Sequence, residues 1–233
     1  MRILAVSFDL DDTLWPIAPV IDSADRALDD WLHACHPAVA RAWPIPALRA
    51  LRERVAQEHP QLSHDYTAQR MLTLERAFAH CGIGDAHVAD AFEVYFDARN
   101  RVTCFEDALP TLCALAARLP LASISNGNAD LDRIGLREHF RACVSARECG
   151  VSKPDVAIFH VACSALELEP AVILHVGDDP LLDVAGAHAA GMRTAWLNRS
   201  GKAWPVEAVP DGVRPDLELR DLGQLAPWLA EKI

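Results

Sequence analysis

The sequence predicts an α/β architecture: a parallel sheet with helices on both faces, interrupted after its first strand by an all-helical insert. Three observations carry this. Five short runs rich in branched apolar residues recur along the chain, and most are separated by stretches of helical periodicity. The interval from about residue 15 to residue 103 shows helical patterns and no strand. Continuous apolar runs mark strands buried on both faces, and strands alternating with helices mark parallel pairing.

The first run, Ile3 to Phe8, ends abruptly in Asp9-Leu10-Asp11-Asp12-Thr13. The insert follows, with one apolar stripe on Ile21, Ala24, Leu28 and Trp31 and a second on Leu48, Leu51 and Val55. A third uses Met71, Leu74 and Phe78, and a fourth Val88, Phe92, Tyr95 and Phe96; Pro44, Pro46, Pro60, Gly82 and Gly84 punctuate them. The expected division is residues 1–15 and 104–233 for the sheet domain and 16–103 for the insert. Back in the sheet domain, Leu109, Leu112, Leu115, Ala116 and Leu119 share a helical face before the second run, Leu121 to Ser125. Ala142 to Val144 is the third run, and Pro154 after it suits a first helical position. Phe159, Ala162, Cys163 and Leu166 line another helix before the fourth run, Val172 to Val176. Thr194 to Leu197 is the fifth. The Gly- and Pro-bearing stretch from Asn198 to Pro215 reads as a loop leading to a C-terminal helix.

A formal net charge of −11 argues against general nucleic-acid binding and against an anionic membrane surface. The apolar runs are too short to span a bilayer, and the N-terminal residues reach acidic side chains too early for a signal peptide. Seven scattered cysteines without a C-x-x-C pair suit reduced thiols, and the histidines show no paired metal spacing. A cytoplasmic protein is expected.

Parallel sheets place their sites at the carboxyl ends of strands. After the first strand stand Asp9, Asp11, Asp12 and Thr13; after the second, Ser125 and Asn126 at a glycine turn; after the third, Lys153; after the fourth, Asp178, Asp179 and Asp183. Each alone has an ordinary structural explanation. Asp12 and Thr13 suit a turn, Asp179 before Pro180 suits a helix cap, S-N-G suits a turn, and Lys153 or Asp183 could face solvent. Four such signals in one order, each at a strand end, point to a site.

The pattern D-x-D-x-T, then Ser, then Lys, then G-D-x-x-x-x-D resembles the haloacid dehalogenase-like hydrolase superfamily. It stands here as Asp9 to Thr13, Ser125, Lys153, and Gly177-Asp178 through Asp183. The resemblance covers essentially the whole chain and implies a Rossmann-like core with the insert as a first-position (C1) helical cap. Locally, SNGNAD, Gly135 to Phe140, SKP, ILHVGDD and GM-x-x-AW are similar to a bacterial branch of phosphatases. That branch acts on flavin mononucleotide and on the phosphorylated ribityl-pyrimidine of riboflavin synthesis.

What the resemblance implies is a Mg²⁺-dependent phosphomonoester hydrolase for a small phosphorylated metabolite. Asp9 would be the nucleophile, forming an aspartyl-phosphate, and Asp11 the acid and then the base. Mg²⁺ would be held by Asp9, the Asp11 carbonyl and Asp178. Ser125, the Asn126 amide and Lys153 would bind the phosphoryl oxygens, with Asp183 orienting Lys153 or a metal-bound water and Asp179 nearby. Nucleoside monophosphates and sugar phosphates are the alternative substrates. Dehalogenases of the superfamily need no acid for halide departure, so Asp11 weighs for a phosphatase. A receiver-like switch or a catalytically silent scaffold is the non-enzymatic alternative, disfavoured by the insert, by the second acid cluster following the lysine, and by the intact Asp9, Asp11, Lys153 and Asp178. In the cap, His59, His64, Tyr66, Arg70 and Arg99 read as solvated helix residues and Trp31 as core. Trp15 could stack on a flat ring, but packing at the hinge is the favoured reading.

Overall fold

The computed structural model describes residues 2–232. Six strands form one sheet: β1 (Ala5–Phe8), β2 (Leu121–Ser125), β3 (Ala142–Ser145), β4 (Ile173–Gly177), β5 (Arg193–Leu197) and β6 (Leu217–Leu219). Their spatial order is β3-β2-β1-β4-β5-β6, and every adjacent pair is parallel. All residues of β1, β2 and β4 are buried, as expected of central parallel strands. The order reverses around β1, whose neighbours are β2 and β4. A doubly wound sheet opens a crevice for ligands at such a reversal.

β6 corresponds to none of the five apolar runs of the sequence. It pairs Ala195 with Leu217 and Leu197 with Leu219, but it is three residues long, lies at the sheet edge and exposes Glu218. So short and half-polar a segment has no readable periodicity.

Two compact units divide the chain. The sheet unit comprises residues up to Pro16, Thr103–Gly127, and Gly135 onward; the other comprises Ile17–Val102 together with Asn128–Ile134. The second is all-helical: α1 (Ile17–Cys35), α2 (Pro37–Ala42), α3 (Ile45–Glu58), α4 (Tyr66–His80) and α5 (Val88–Arg99). The short α2, opened by Pro37, was not expected. Along α1 the buried stripe is Val20, Ala24, Leu28 and Leu32, with Ile21 and Trp31 half-buried at its margins. Ala24, Leu28 and Leu32 join Leu48, Leu51, Leu74, Phe78 and Tyr95 in one core. Each large apolar side chain so buried contributes roughly 1.5–3 kcal/mol.

Two residues expected in solvent are inside this unit. Arg70 is 4% and Arg99 1% exposed. The Arg70 guanidinium lies 3.9 Å from the Tyr95 ring centroid and 3.5 Å from buried Asp25, which also accepts from Arg49 Nε at 2.6 Å. A helical wheel places polar residues outside. It cannot foresee that an acid on α1 sits opposite a base on α4. The segment Asn128–Ile134 is tied into the same unit by Asn128 Nδ2 donating to Thr67 Oγ1 (3.3 Å), Asp130 N–H to Asn100 Oδ1 (2.8 Å) and Arg133 to Glu93 (2.7 Å).

In the sheet unit, α6 (Ala108–Ala116), α7 (Val156–Leu166) and α8 (Leu225–Ala230) cover both faces. Ile158, Phe159, Ala162, Cys163 and Leu166 of α7 pack with Ala5, Ile124, Val144 and Ile173. On α6 the buried stripe is Ala108, Thr111, Leu112 and Leu115, while Leu109, expected inside, is 45% exposed. Pro154 is not a first helical residue either. Asp155 caps α7 by accepting from Ala157 N–H, so the helix starts one residue beyond that cap.

Removing the carboxylate of Asp25 would leave Arg70 buried without its ion-pair partner. Asp25→Ala is expected to lower stability by about 3–5 kcal/mol, read as an earlier urea midpoint at unchanged slope.

Candidate active site

Asp9 directly follows β1, and its N–H donates to the Val176 carbonyl of β4 at 2.9 Å, so the first acid motif is locked to the strand carrying the second. Asp178 follows β4. Asp183 sits in a π-helical turn (Pro180–Ala185), a widened turn often found at functional sites. It folds back over Gly177. A Cβ at position 177 would lie 2.2 Å from the Asp183 Cγ, so only glycine leaves the acid room. Asp9, Asp178 and Asp183 each present an oxygen within 4.8 Å of the others.

Lys153 enters this cluster from the loop after β3. Its ammonium donates to Asp9 Oδ1 at 2.5 Å and to Asp183 Oδ1 at 2.6 Å. The loop is clamped by Asn126: Lys153 N–H donates to Asn126 Oδ1 (2.7 Å), and Asn126 Nδ2 donates to the Lys153 carbonyl (3.0 Å). The Asn126 side chain therefore fixes the lysine's main chain. Ser125 ends β2, buried, with its hydroxyl accepting from Gly127 N–H at 3.0 Å. The register levels Phe8 with Ser123, so Asp9 and Ser125 leave neighbouring strands at the same end of the sheet.

Behind the acids lies a buried chain of polar groups. His175 Nε2 is 3.3 Å from Asp183 Oδ1, and its Nδ1 is 2.9 Å from Ser7 Oγ. A carboxylate can only accept, so Nε2 carries the hydrogen and Nδ1 accepts from the Ser7 hydroxyl. The other Asp183 oxygen accepts from Asp179 N–H at 3.0 Å. Asp179 itself caps the π turn, accepting from Leu181 and Leu182 N–H at 2.8 Å each.

Burial opposes every charge here, and the partners decide which charges survive. Lys153 is held well above its ordinary pKa by Asp183 and Asp9 despite burial. Burial likewise opposes ionisation of Asp183, but Lys153 and His175 hold its carboxyl far below the usual range. Asp9 is pushed well up by burial, and by Asp183 and Asp178, against the pull of Lys153. Asp178 is raised to about 7 by burial and by Asp183, Asp12 and Asp179. One ammonium thus keeps one carboxylate ionised, and Asp9 and Asp178, short of positive charge, are pushed toward the neutral form. A hard divalent cation that binds oxygen, Mg²⁺ above all, fits this donor set; Asp9 and Asp178, with Asp183 adjacent, are the side chains that could hold it.

The remaining motif residues have separate tasks. Asp12 adopts a left-handed conformation (φ +60°), which aspartate tolerates, and its N–H donates to the Trp15 carbonyl at 2.7 Å. Thr13 Oγ1 donates to Asp178 Oδ1 at 3.3 Å. Asp11 Oδ1 accepts from the Trp15 indole N–H at 2.8 Å. Trp15, fully buried, offers no face to a flat ring. Sequence reasoning gave no role to Ser7, His175 or Trp196, whose indole N–H donates to the Asp178 carbonyl at 2.9 Å. The signal for His175 was a lone polar residue within a wholly apolar strand.

Residues 3–191 match the family model of haloacid dehalogenase-like hydrolases. The chain is 33% identical over 228 residues to the 5-amino-6-(5-phospho-D-ribitylamino)uracil phosphatase of Escherichia coli, covering 96% of this chain and 95% of that one. It is 32% identical over 170 residues to a phosphoserine phosphatase of Thermus thermophilus, covering 70% and 66%. Among solved structures, a 2-haloacid dehalogenase from Pseudomonas syringae superposes with a TM-score of 0.90 at 39% identity, covering 98% of this chain and 99% of that one. The chain belongs to the haloacid dehalogenase-like hydrolase family.

The raised Asp178 carboxyl has a definite consequence for stability. Without a cation, the folded protein keeps a proton on Asp178 that the unfolded chain loses above its ordinary value of 3.8, so this group's contribution falls as pH rises toward about 7. His36 and His175, both depressed first by burial, contribute with the opposite sign below pH 6.5. The difference between wild type and Asp178→Asn isolates the effect. In chelator, wild type is expected to lose melting temperature relative to the variant between about pH 4 and pH 7, and excess Mg²⁺ to remove that loss. Gly177→Ala, which displaces Asp183, is expected to shrink the Mg²⁺-induced shift in melting temperature.

Proposed function

We propose that this hydrolase cleaves a small phosphomonoester through an aspartyl-phosphate on Asp9, with Mg²⁺ held by Asp9, Asp178 and the Asp11 carbonyl. The observation that carries it is the meeting of Asp9, Lys153, Asp178 and Asp183 at the crevice between β1 and β4. When bound, the cation screens the phosphate from the carboxylates and polarises its oxygens. Asp9 attacks phosphorus in line as the bond to the ester oxygen breaks, and Asp11 gives that oxygen its proton. Water then attacks the phosphorus of the aspartyl-phosphate, Asp11 takes its proton back, and the bond to Asp9 breaks. Lys153 supplies fixed positive charge beside the nucleophile, and Ser125 and the Asn126 amide bind phosphoryl oxygens. Asp183 orients Lys153, and His175 and Asp179 hold Asp183. Positioning and electrostatics thus supply most of the rate enhancement, as phosphoryl transfer requires.

The E. coli relative's name supports a phosphorylated ribityl-pyrimidine as substrate; flavin mononucleotide stands beside it on the motif resemblance, ahead of nucleoside monophosphates and sugar phosphates. The all-helical unit is assigned the role of cap, selecting the leaving group.

Haloacid dehalogenation is the second reading, favoured by the P. syringae structure. Asp11 separates the two. Halide departs without a proton, whereas an alkoxide departs slowly without one, and only the second reaction employs a carboxyl two residues from the nucleophile. The crowding of carboxyls around Asp178, which a cation would relieve, points the same way.

Steady-state phosphate release from these four substrate classes is expected to require Mg²⁺ and to be fastest with the ribityl-pyrimidine phosphate or flavin mononucleotide. Asp9→Asn should lower kcat by on the order of 10³-fold or more. Halide release from a 2-haloacid without phosphate release from any ester would overturn the proposal.

A further inference from the structure

We propose that Trp15 is the positioning residue of Asp11, its indole N–H fixing which carboxyl oxygen carries the proton in catalysis. The proposal rests on the hydrolase mechanism above, in which Asp11 exchanges a proton with the leaving oxygen and then with water.

Trp15 is fully buried, and its Nε1 lies 2.8 Å from Asp11 Oδ1. An indole N–H is a donor and never an acceptor. A hydrogen placed on Oδ1 would therefore compete with that donor for the same lone pairs, so the acid form of Asp11 carries its hydrogen on Oδ2. Once Asp11 has given the proton up, Oδ1 accepts from the indole as part of a carboxylate, a stronger acceptor than before. The bond survives both halves of the cycle. The carboxyl plane stays fixed while the proton leaves and returns through Oδ2.

The local chain is built to bring these two side chains together. Asp12, at φ +60°, reverses the backbone, its N–H donates to the Trp15 carbonyl at 2.7 Å, and the main chains of Asp11 and Trp15 form an isolated bridge. Trp196 shows the contrast. Its indole is satisfied by a backbone carbonyl, that of Asp178, as buried indoles can be. Trp15 instead spends its one donor on the side chain assigned to proton transfer. Removing that donor leaves the main-chain turn its own hydrogen bonds.

The test is the dependence of kcat/KM on the leaving group in Trp15→Phe, measured with Mg²⁺ on an alkyl phosphomonoester and on p-nitrophenyl phosphate. This ratio reports steps up to phosphoryl transfer onto Asp9, where an alkoxide needs the acid and p-nitrophenolate hardly does. General acid catalysis contributes about 10²–10⁴-fold, so a mispositioned Asp11 should lower the alkyl value by about 10- to 100-fold and leave the p-nitrophenyl value within about threefold. In an Asp11→Asn background the same substitution should have no further effect on the alkyl ester. Equal losses on both esters, or additivity with Asp11→Asn, would show a merely structural tryptophan and overturn the proposal, as would no loss on either. A folded wild type silent on both esters would overturn the hydrolase reading itself, and the proposal with it. Should Trp15→Phe fail to fold, benzothienylalanine at position 15 keeps the bicycle, removes only the N–H, and is read by the same criteria.

Discussion

A buried ammonium between two buried carboxylates holds the strand ends together. Lys153 bonds Asp9, which follows β1, and Asp183, in the turn after β4, while its own main chain is clamped by Asn126 after β2. Four loops of the sheet thus converge on one cation. Taking these charges out of water is costly, and the hydrogen bonds gathered on Asp183 offset part of that cost. Asp183 accepts from Lys153, His175 and Asp179 N–H, and Gly177 gives it room. A packed apolar cluster of the same volume would serve stability as well or better. The retention of so many buried charges is a mark of chemistry.

The same interaction explains why the site is incomplete by itself. Lys153 keeps Asp183 ionised but leaves Asp9 and Asp178 with their carboxyls pushed toward the neutral form. A nucleophile must be ionised to attack. In the proposed mechanism a divalent cation held by Asp9 and Asp178 would supply the missing charge to both acids and would also meet the charge of a phosphate, which no haloacid carries at its reacting carbon. One charge imbalance would therefore account for both the proposed metal and the proposed substrate class. The family likeness alone would leave phosphatase and dehalogenase side by side.

Much of this was legible in the sequence. Fully buried parallel strands announce themselves as continuous apolar runs, and the acids stand out because like charges rarely crowd together at the end of one. β2, from Leu121 to Ser125, was placed to the residue. What sequence could not show were contacts between distant segments. Asp25 and Arg70 look like surface residues until α1 and α4 face each other, and β6 is too short to have a period. Trp15, four residues from Asp11, reads as packing. Its donor matters only because Asp12 turns the chain back on itself.

The most direct measurement is chemical. Enzyme incubated with Mg²⁺ and a phosphomonoester, quenched in acid and digested, should yield a phosphorylated Asp9 peptide by mass spectrometry, and hydroxylamine should discharge it as it does acyl phosphates. The adduct should accumulate in Asp11→Asn, where the attacking water loses its base. A phosphoryl group on another residue, or an Asp9 peptide that stays unmodified by phosphomonoesters yet is esterified by a 2-haloacid, would contradict the account.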